Sequence, residues 1–188
     1  MRSGCWAHAR RKFFEAKDSA DEATYVIEKI RELYQIEYDA VTLAVTTDEH
    51  RALRQERAIP ILSEINKYLR EQSGLYPPKS PMGKAITYAM NNWAELTRFV
   101  DDARLPLDNN ASERALRIIA LGRKNYLFAG NDDAARNLAG LYSLVATCEL
   151  HGINPEHYLA DVLIRVHMQT QQKIDELLPH RWKVIFNQ

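Results

Sequence analysis

Apolar residues recur every three or four positions through most of this 188-residue chain, a spacing that puts them on one face of an α-helix. Trp6, Ala9, Phe13 and Ala16 form the first stripe, over residues 5–18. Val26, Ile30, Leu33, Ile36 or Glu37, then Ala40 and Val41 to Ala44 form the second, over residues 20–45. Thr46 and Glu49 then have the spacing of a capping box and open a charged helix through Arg57. Pro60 lacks an N–H and crowds the preceding turn. A kink or break is therefore expected before Ile61, Ile65, Tyr68 and Leu69 resume the stripe.

Residues 73–81 hold three prolines and a glycine and form the clearest loop. Ser80 followed by Pro81 pairs an N-cap residue with proline at the first helical position, which predicts a helix through about residue 100. Ile86, Met90, Trp93, Leu96 and Val100 would face its core. Residues 104–107 read as a short extended link, and residues 126–129 as a short strand or an extended turn. Asn131 and Asp132 start a helix through about residue 150, closed by Gly152. Asn154 and Pro155 start another through about residue 168, and residues 174–182 read as a brief helix ended near Pro179. The fold class is mainly α.

Set among these helices is LDNNASERALRIIALGRKNYLFAG, residues 107–130. Three turn-forming residues, Asp108, Asn109 and Asn110, precede a carboxylate at Glu113. Four cations follow, Arg114, Arg117, Arg123 and Lys124, with Gly122 stopping the helix. Asn110 and Glu113 have capping-box spacing, a device of many ordinary helices. The same pattern, an acid among arginines at a helix N-terminus, also suits a metal-bound phosphate site. Spacing leaves both readings open. Asp108, two residues ahead of the helix, reads as turn chemistry.

The 25 basic and 25 acidic residues cancel, so no global field draws the chain to a polyanion. Local imbalance does. Residues 1–14 carry four cations, Arg2, Arg10, Arg11 and Lys12, and no acid, while residues 104–124 carry five cations and two acids. Two cysteines exclude a disulfide scaffold and suit a reducing compartment. No apolar run approaches the roughly 18 residues a membrane span requires, and the basic N-terminus lacks the apolar centre of a signal peptide. A cytoplasmic location is expected. Cys5 with His8, and Cys148 with His151, each place Cys and His at i, i+3. Together the pairs would make a Cys₂His₂ zinc site, although a lone helical cysteine is ordinarily a small core residue.

The 107–130 segment resembles the C-terminal signature of the insertion sequence 66 family of transposases. In that family D-N-N-x-A/S-E-R-A-x-R is followed by G-R-K-N-x-L-F-A-G, matched here at residues 108–117 and 122–130. GCWAHARRKF, residues 4–13, resembles a second family block, and residues 142–183 resemble the family's C-terminal element. The resemblance implies a DDE-type DNA transposase with an RNase H-like catalytic core, cutting and joining phosphodiesters with Mg²⁺ or Mn²⁺ held by three carboxylates. It makes Glu113 the last of the three, hence a catalytic and metal-binding residue. The two aspartates lie upstream of GCWAHARRKF in the family, and this sequence has only Met1, Arg2 and Ser3 there.

The resemblance therefore implies the helical C-terminal portion of an RNase H-like transposase core, lacking the leading strands of the sheet. Residues 1–141 would be a partial catalytic region with a helical insertion, and residues 142–188 a C-terminal helical element. Arg10, Arg11, Lys12, Arg114, Arg117, Arg123 and Lys124 would contact DNA phosphates. The expected function is DNA transposition, in a truncated and catalytically incomplete form that does not hold the metal stably by itself. The expected partners are DNA and other subunits or accessory proteins of the same element, with no membrane. The alternatives are a non-catalytic helical protein that binds DNA or a partner transposase, and a zinc-stapled structural module.

Overall fold

A computed structural model of the chain describes residues 3–122 and 128–186, and among these the fold is mainly α-helical, with no strand. The chain divides into two compact units, Met1–Ala111 and Ser112–Gln188.

In the first unit, helix α1 (Trp6–Ala16) packs on α2 (Ala23–Thr42) and α4 (Pro81–Asn91), and α2 packs on α3 (Thr47–Gln72). The stripe expected on α1 is the one that is buried: Trp6, Ala9, Phe13 and Ala16 join Val26, Ile30, Leu33 and Ile36 of α2 in a single core. Burying each large side chain of this kind contributes roughly 1.5–3 kcal/mol. The start of α1 is also tied by polar groups. Gly4 N–H donates to Glu95 O (2.8 Å), Trp6 N–H to Leu107 O (3.0 Å) and the Trp6 indole N–H to Leu96 O (2.8 Å). A Cβ at Gly4 would stand 2.7 Å from the Leu96 backbone nitrogen, so this close approach requires glycine.

The Thr46–Glu49 capping box is formed: Thr46 N–H donates to Glu49 Oε2 (2.7 Å), and Thr46 Oγ1 accepts from Glu49 N–H (3.4 Å). The break expected at Pro60 does not occur, and α3 runs through it. Pro60 lies on the exposed face, where water can satisfy the carbonyl it leaves unbonded, while Ala58, Leu62, Ile65 and Leu69 hold both halves to the core. Ser80 caps α4 by accepting from Gly83 N–H (3.1 Å), with Pro81 first in the helix. The helix expected to reach residue 100 is interrupted at Asn92, whose side-chain amide takes the Tyr88 carbonyl (2.7 Å). It resumes as the short α5 (Trp93–Thr97) and a 3₁₀ turn, Arg98–Val100, which bury Leu96, Phe99 and Val100. Residues 104–107 are turned rather than extended: Asp102 Oδ1 accepts from Arg104 N–H (3.0 Å), and Leu105 N–H donates to Asp102 O (3.0 Å).

The second unit contains α6 (Asn110–Gly122, which starts two residues ahead of it), α7 (Asp132–Leu150), α8 (Pro155–Arg165), a 3₁₀ segment (Gln171–Leu177) and α9 (Pro179–Phe186). Asn131 caps α7 by accepting from Ala134 N–H (2.8 Å), and Asn154 caps α8 by accepting from Glu156 and His157 N–H. Gly152, at φ 63°, turns the chain out of α7. Pro179 starts a helix rather than ending one, because the first helical residue needs no N–H partner. Residues 126 and 127 of the expected strand or turn lie outside the described residues. The core here is small, with Cys148, Ile153, Tyr158 and Trp182 buried. No residue of α6 is buried, and Leu116, Leu121, Leu141, Leu150, Leu163 and Ile164 are exposed.

Candidate nucleic-acid interface

The face of α1 turned away from its buried stripe carries Ala7, Arg10, Arg11 and Phe14, at i, i+3, i+4 and i+7. These four residues form one wall of a cleft of about 530 Å³. Arg31 and Tyr34, one turn apart on α2, and Asp108 and Asn110, at the approach to α6, complete its lining. Three guanidinium groups thus face one carboxylate.

That carboxylate is already engaged. Asp108 Oδ2 accepts from the Tyr34 hydroxyl (2.8 Å) and from Asn110 Nδ2 (2.9 Å), and Oδ1 accepts from Asn110 N–H (3.0 Å). The last bond is an Asx turn, the local role expected of Asp108. It also occupies Asn110 with Asp108, so the start of α6 is organised by the Asp108 carboxylate. Burial, and then the hydrogen bond to Asp108, push the Tyr34 phenol well above its ordinary value. Tyr34 stays a neutral donor and fastens the approach to α6 onto α2.

Of the residues expected to contact DNA, Arg10 and Arg11 share this cleft. Lys12 points elsewhere, its Nζ 5.0 Å from the centre of the Tyr88 ring on α4. Arg114 and Arg117 are exposed on α6, and Glu113 is exposed in its first turn. Arg123 and Lys124 lie outside the described residues. The sequence reading missed Arg31. Helix α2 carries charges of both signs all along, and only its spacing to Tyr34, with Tyr34 bonded to Asp108, distinguishes Arg31 from the rest.

A two-cation centre needs several carboxylates converging on ions roughly 4 Å apart. Among the described residues no group of three or more His, Cys, Asp or Glu side chains is placed to hold a metal ion. The described residues therefore do not gather the three carboxylates that the resemblance implies. Cys5 is buried at the start of α1, and Cys148 is buried in the apolar core of the second unit, where burial pushes its thiol up.

The chain matches the family described as Transposase IS66 family over residues 1–137, and the IS66 C-terminal element over residues 143–180. Similar chains include three proteins of Sinorhizobium fredii (strain NBRC 101917 / NGR234), each described as uncharacterized: y4hP, y4jD and y4qI. They are 35%, 33% and 34% identical over 95%, 95% and 96% of this chain, which covers 35%, 35% and 34% of their lengths. The chain thus spans about a third of the curated relatives it matches. No solved structure matches it. No helix among the described residues is long and apolar enough to cross a membrane.

Proposed function

The chain belongs to the IS66 transposase family, and from that premise we propose that it is the Glu113-bearing, DNA-gripping part of a DDE-type transposase with an RNase H-like core. The observation that carries the reading is the arginine cleft. GCWAHARRKF folds as α1, with the buried face holding the helix in the core and the opposite face presenting Arg10 and Arg11. Guanidinium groups bind phosphate oxygens through paired N–H donors, and such contacts fix the register of a protein on DNA without reading its sequence. Arg114 and Arg117 on α6 add exposed cations beside Glu113 in sequence, and Arg123 and Lys124 are assigned the same role from the motif alone.

Glu113 is assigned as one of three carboxylate ligands of a Mg²⁺ or Mn²⁺ pair, the ions whose chemistry in this family is attack on a phosphodiester. Cutting and joining DNA are proposed for a protein of the relatives' full length, with DNA and further transposase subunits or accessory proteins as partners. For this chain alone, the missing three-ligand group among the described residues favours DNA binding without cutting.

Fluorescence anisotropy with a labelled duplex tests the DNA reading. Weak, sequence-independent binding is expected, falling steeply between about 50 and 200 mM salt as counterions are released. The Arg10→Gln/Arg11→Gln double variant should flatten the plot of log affinity against log salt by up to about 1.8, at roughly 0.9 per phosphate contact. No binding at low salt, or a double variant indistinguishable from wild type, would overturn the proposal.

A further inference from the structure

We infer that Arg31 is a DNA-phosphate-binding residue, which with Arg10 and Arg11 completes a three-guanidinium pocket for a backbone phosphodiester between α1 and α2. The inference rests on the DNA-binding reading above and adds to it a residue outside every motif of the sequence.

Pairing is the first argument. Four other arginines of the first unit are paired with acids, Arg51 with Asp48, Arg54 with Glu37, Arg57 with Asp39 and Arg104 with Asp102, while Arg70 is bonded to Asn66. Among the described residues Arg10, Arg11 and Arg31 have no carboxylate within ion-pair distance, and these three line the same cleft. The acid nearest to hand, Asp108, has its oxygens taken up by Tyr34 and Asn110. The polar groups that the cleft offers a ligand are therefore mainly N–H donors on positive groups, a set that calls for an anion with several oxygens.

Geometry is the second. Arg10 and Arg11 sit on one helix and Arg31 on its neighbour, so an anion in the cleft is met from two walls rather than along one surface. Each guanidinium is a planar fork matching two phosphate oxygens, and it retains its charge at any working pH. The walls are also fixed. Phe13 anchors α1 and Ile30 anchors α2 in the common core, both at 0% exposure, on residues adjacent in sequence to Phe14 and Arg31. Tyr34, one turn after Arg31, is tied to Asp108, so little rearrangement is needed to hold a phosphate.

The test is the salt dependence of duplex binding by the whole chain, comparing wild type, Arg31→Gln, Arg31→Glu and a control, Lys84→Gln, on the exposed side of α4. Arg31 is exposed, so each variant should fold, as checked by circular dichroism and urea unfolding. Arg31→Gln should lower the slope of log affinity against log salt by about 0.9, the value for one phosphate contact. Arg31→Glu should weaken binding further, and Lys84→Gln should match wild type. Wild type that binds with a steep slope, alongside an Arg31→Gln variant of equal slope, would overturn the role of Arg31 and leave the DNA reading standing. Wild type that fails to bind at low salt would overturn both.

Discussion

Two charged residues mark the extremes of what a side chain does here. Arg54 is 1% exposed, with its Nε and Nη2 bonded to the two Glu37 oxygens (2.8 and 2.6 Å) and its Nη1 to the carbonyls of Phe99 and Asp102 (2.8 and 3.0 Å). It ties α3 to α2 and to the 3₁₀ turn after α5, so removing it leaves Glu37 and two carbonyls without their donor. Arg54→Ala should cost about 3 kcal/mol, the low end for breaking a buried pair because Glu37 keeps some access to water. Urea unfolding checks this, and a loss under about 1 kcal/mol would mean the pair behaves like an exposed one. Glu113 differs in burial, being exposed on a helix with no buried residue. Glu113→Gln should cost no more than about 1 kcal/mol, the scale of a helix-end contact. A loss above about 3 kcal/mol would instead signal a buried, paired carboxylate.

Within the second unit, α8 and α9 are joined through Tyr158. Its ring packs edge-on against Trp182 (5.4 Å between centroids), and its hydroxyl donates to Leu177 O (2.7 Å). Burial, with a smaller contribution from Cys148, pushes the phenol up to about 12. An unfolded tyrosine titrates near 10. The folded value is raised, so the stabilisation is fully present below about pH 10 and is lost as pH rises through about 12. It amounts to about 3 kcal/mol at most. Urea midpoints from pH 9 to 12 should therefore fall faster for wild type than for Tyr158→Phe, and parallel curves would contradict the assignment. The elements themselves were largely legible in the sequence. The α1 stripe, the Thr46–Glu49 box, and the caps at Ser80, Asn131 and Asn154 are local signals, and each is formed as expected. The departures came where tertiary packing carries α3 through Pro60 without a break, or where a side chain takes a backbone carbonyl, at Asn92. Arg54 was invisible because its partners lie 17, 45 and 48 residues away. Arg31 was invisible because its significance depends on Arg10 and Arg11 of another helix.

At the scale of the whole molecule, the described residues fold mainly as helices, and the chain spans about a third of its relatives' lengths. The last expectation follows from counting ligands at that scale: this 188-residue chain, by itself, should neither nick DNA nor join strands when given Mg²⁺ or Mn²⁺. Two-metal attack on a phosphodiester needs carboxylates converging on both ions. Glu113 is the one ligand proposed from the family motif, and among the described residues no three candidate ligands are gathered around it or elsewhere. Asp108, the nearest acid in sequence, is engaged by Tyr34 and Asn110 and would have to surrender those bonds to bind a cation. Phosphate contacts at the arginine cleft hold DNA but leave the chemical barrier, very high for phosphate esters, where it was. The measurement is nicking of supercoiled plasmid and transfer of a labelled oligonucleotide, for wild type beside Glu113→Gln. Neither protein should act, although both should bind DNA equally well at low salt. Metal-dependent nicking by wild type that disappears in Glu113→Gln would show that other carboxylates of this chain complete the centre around Glu113.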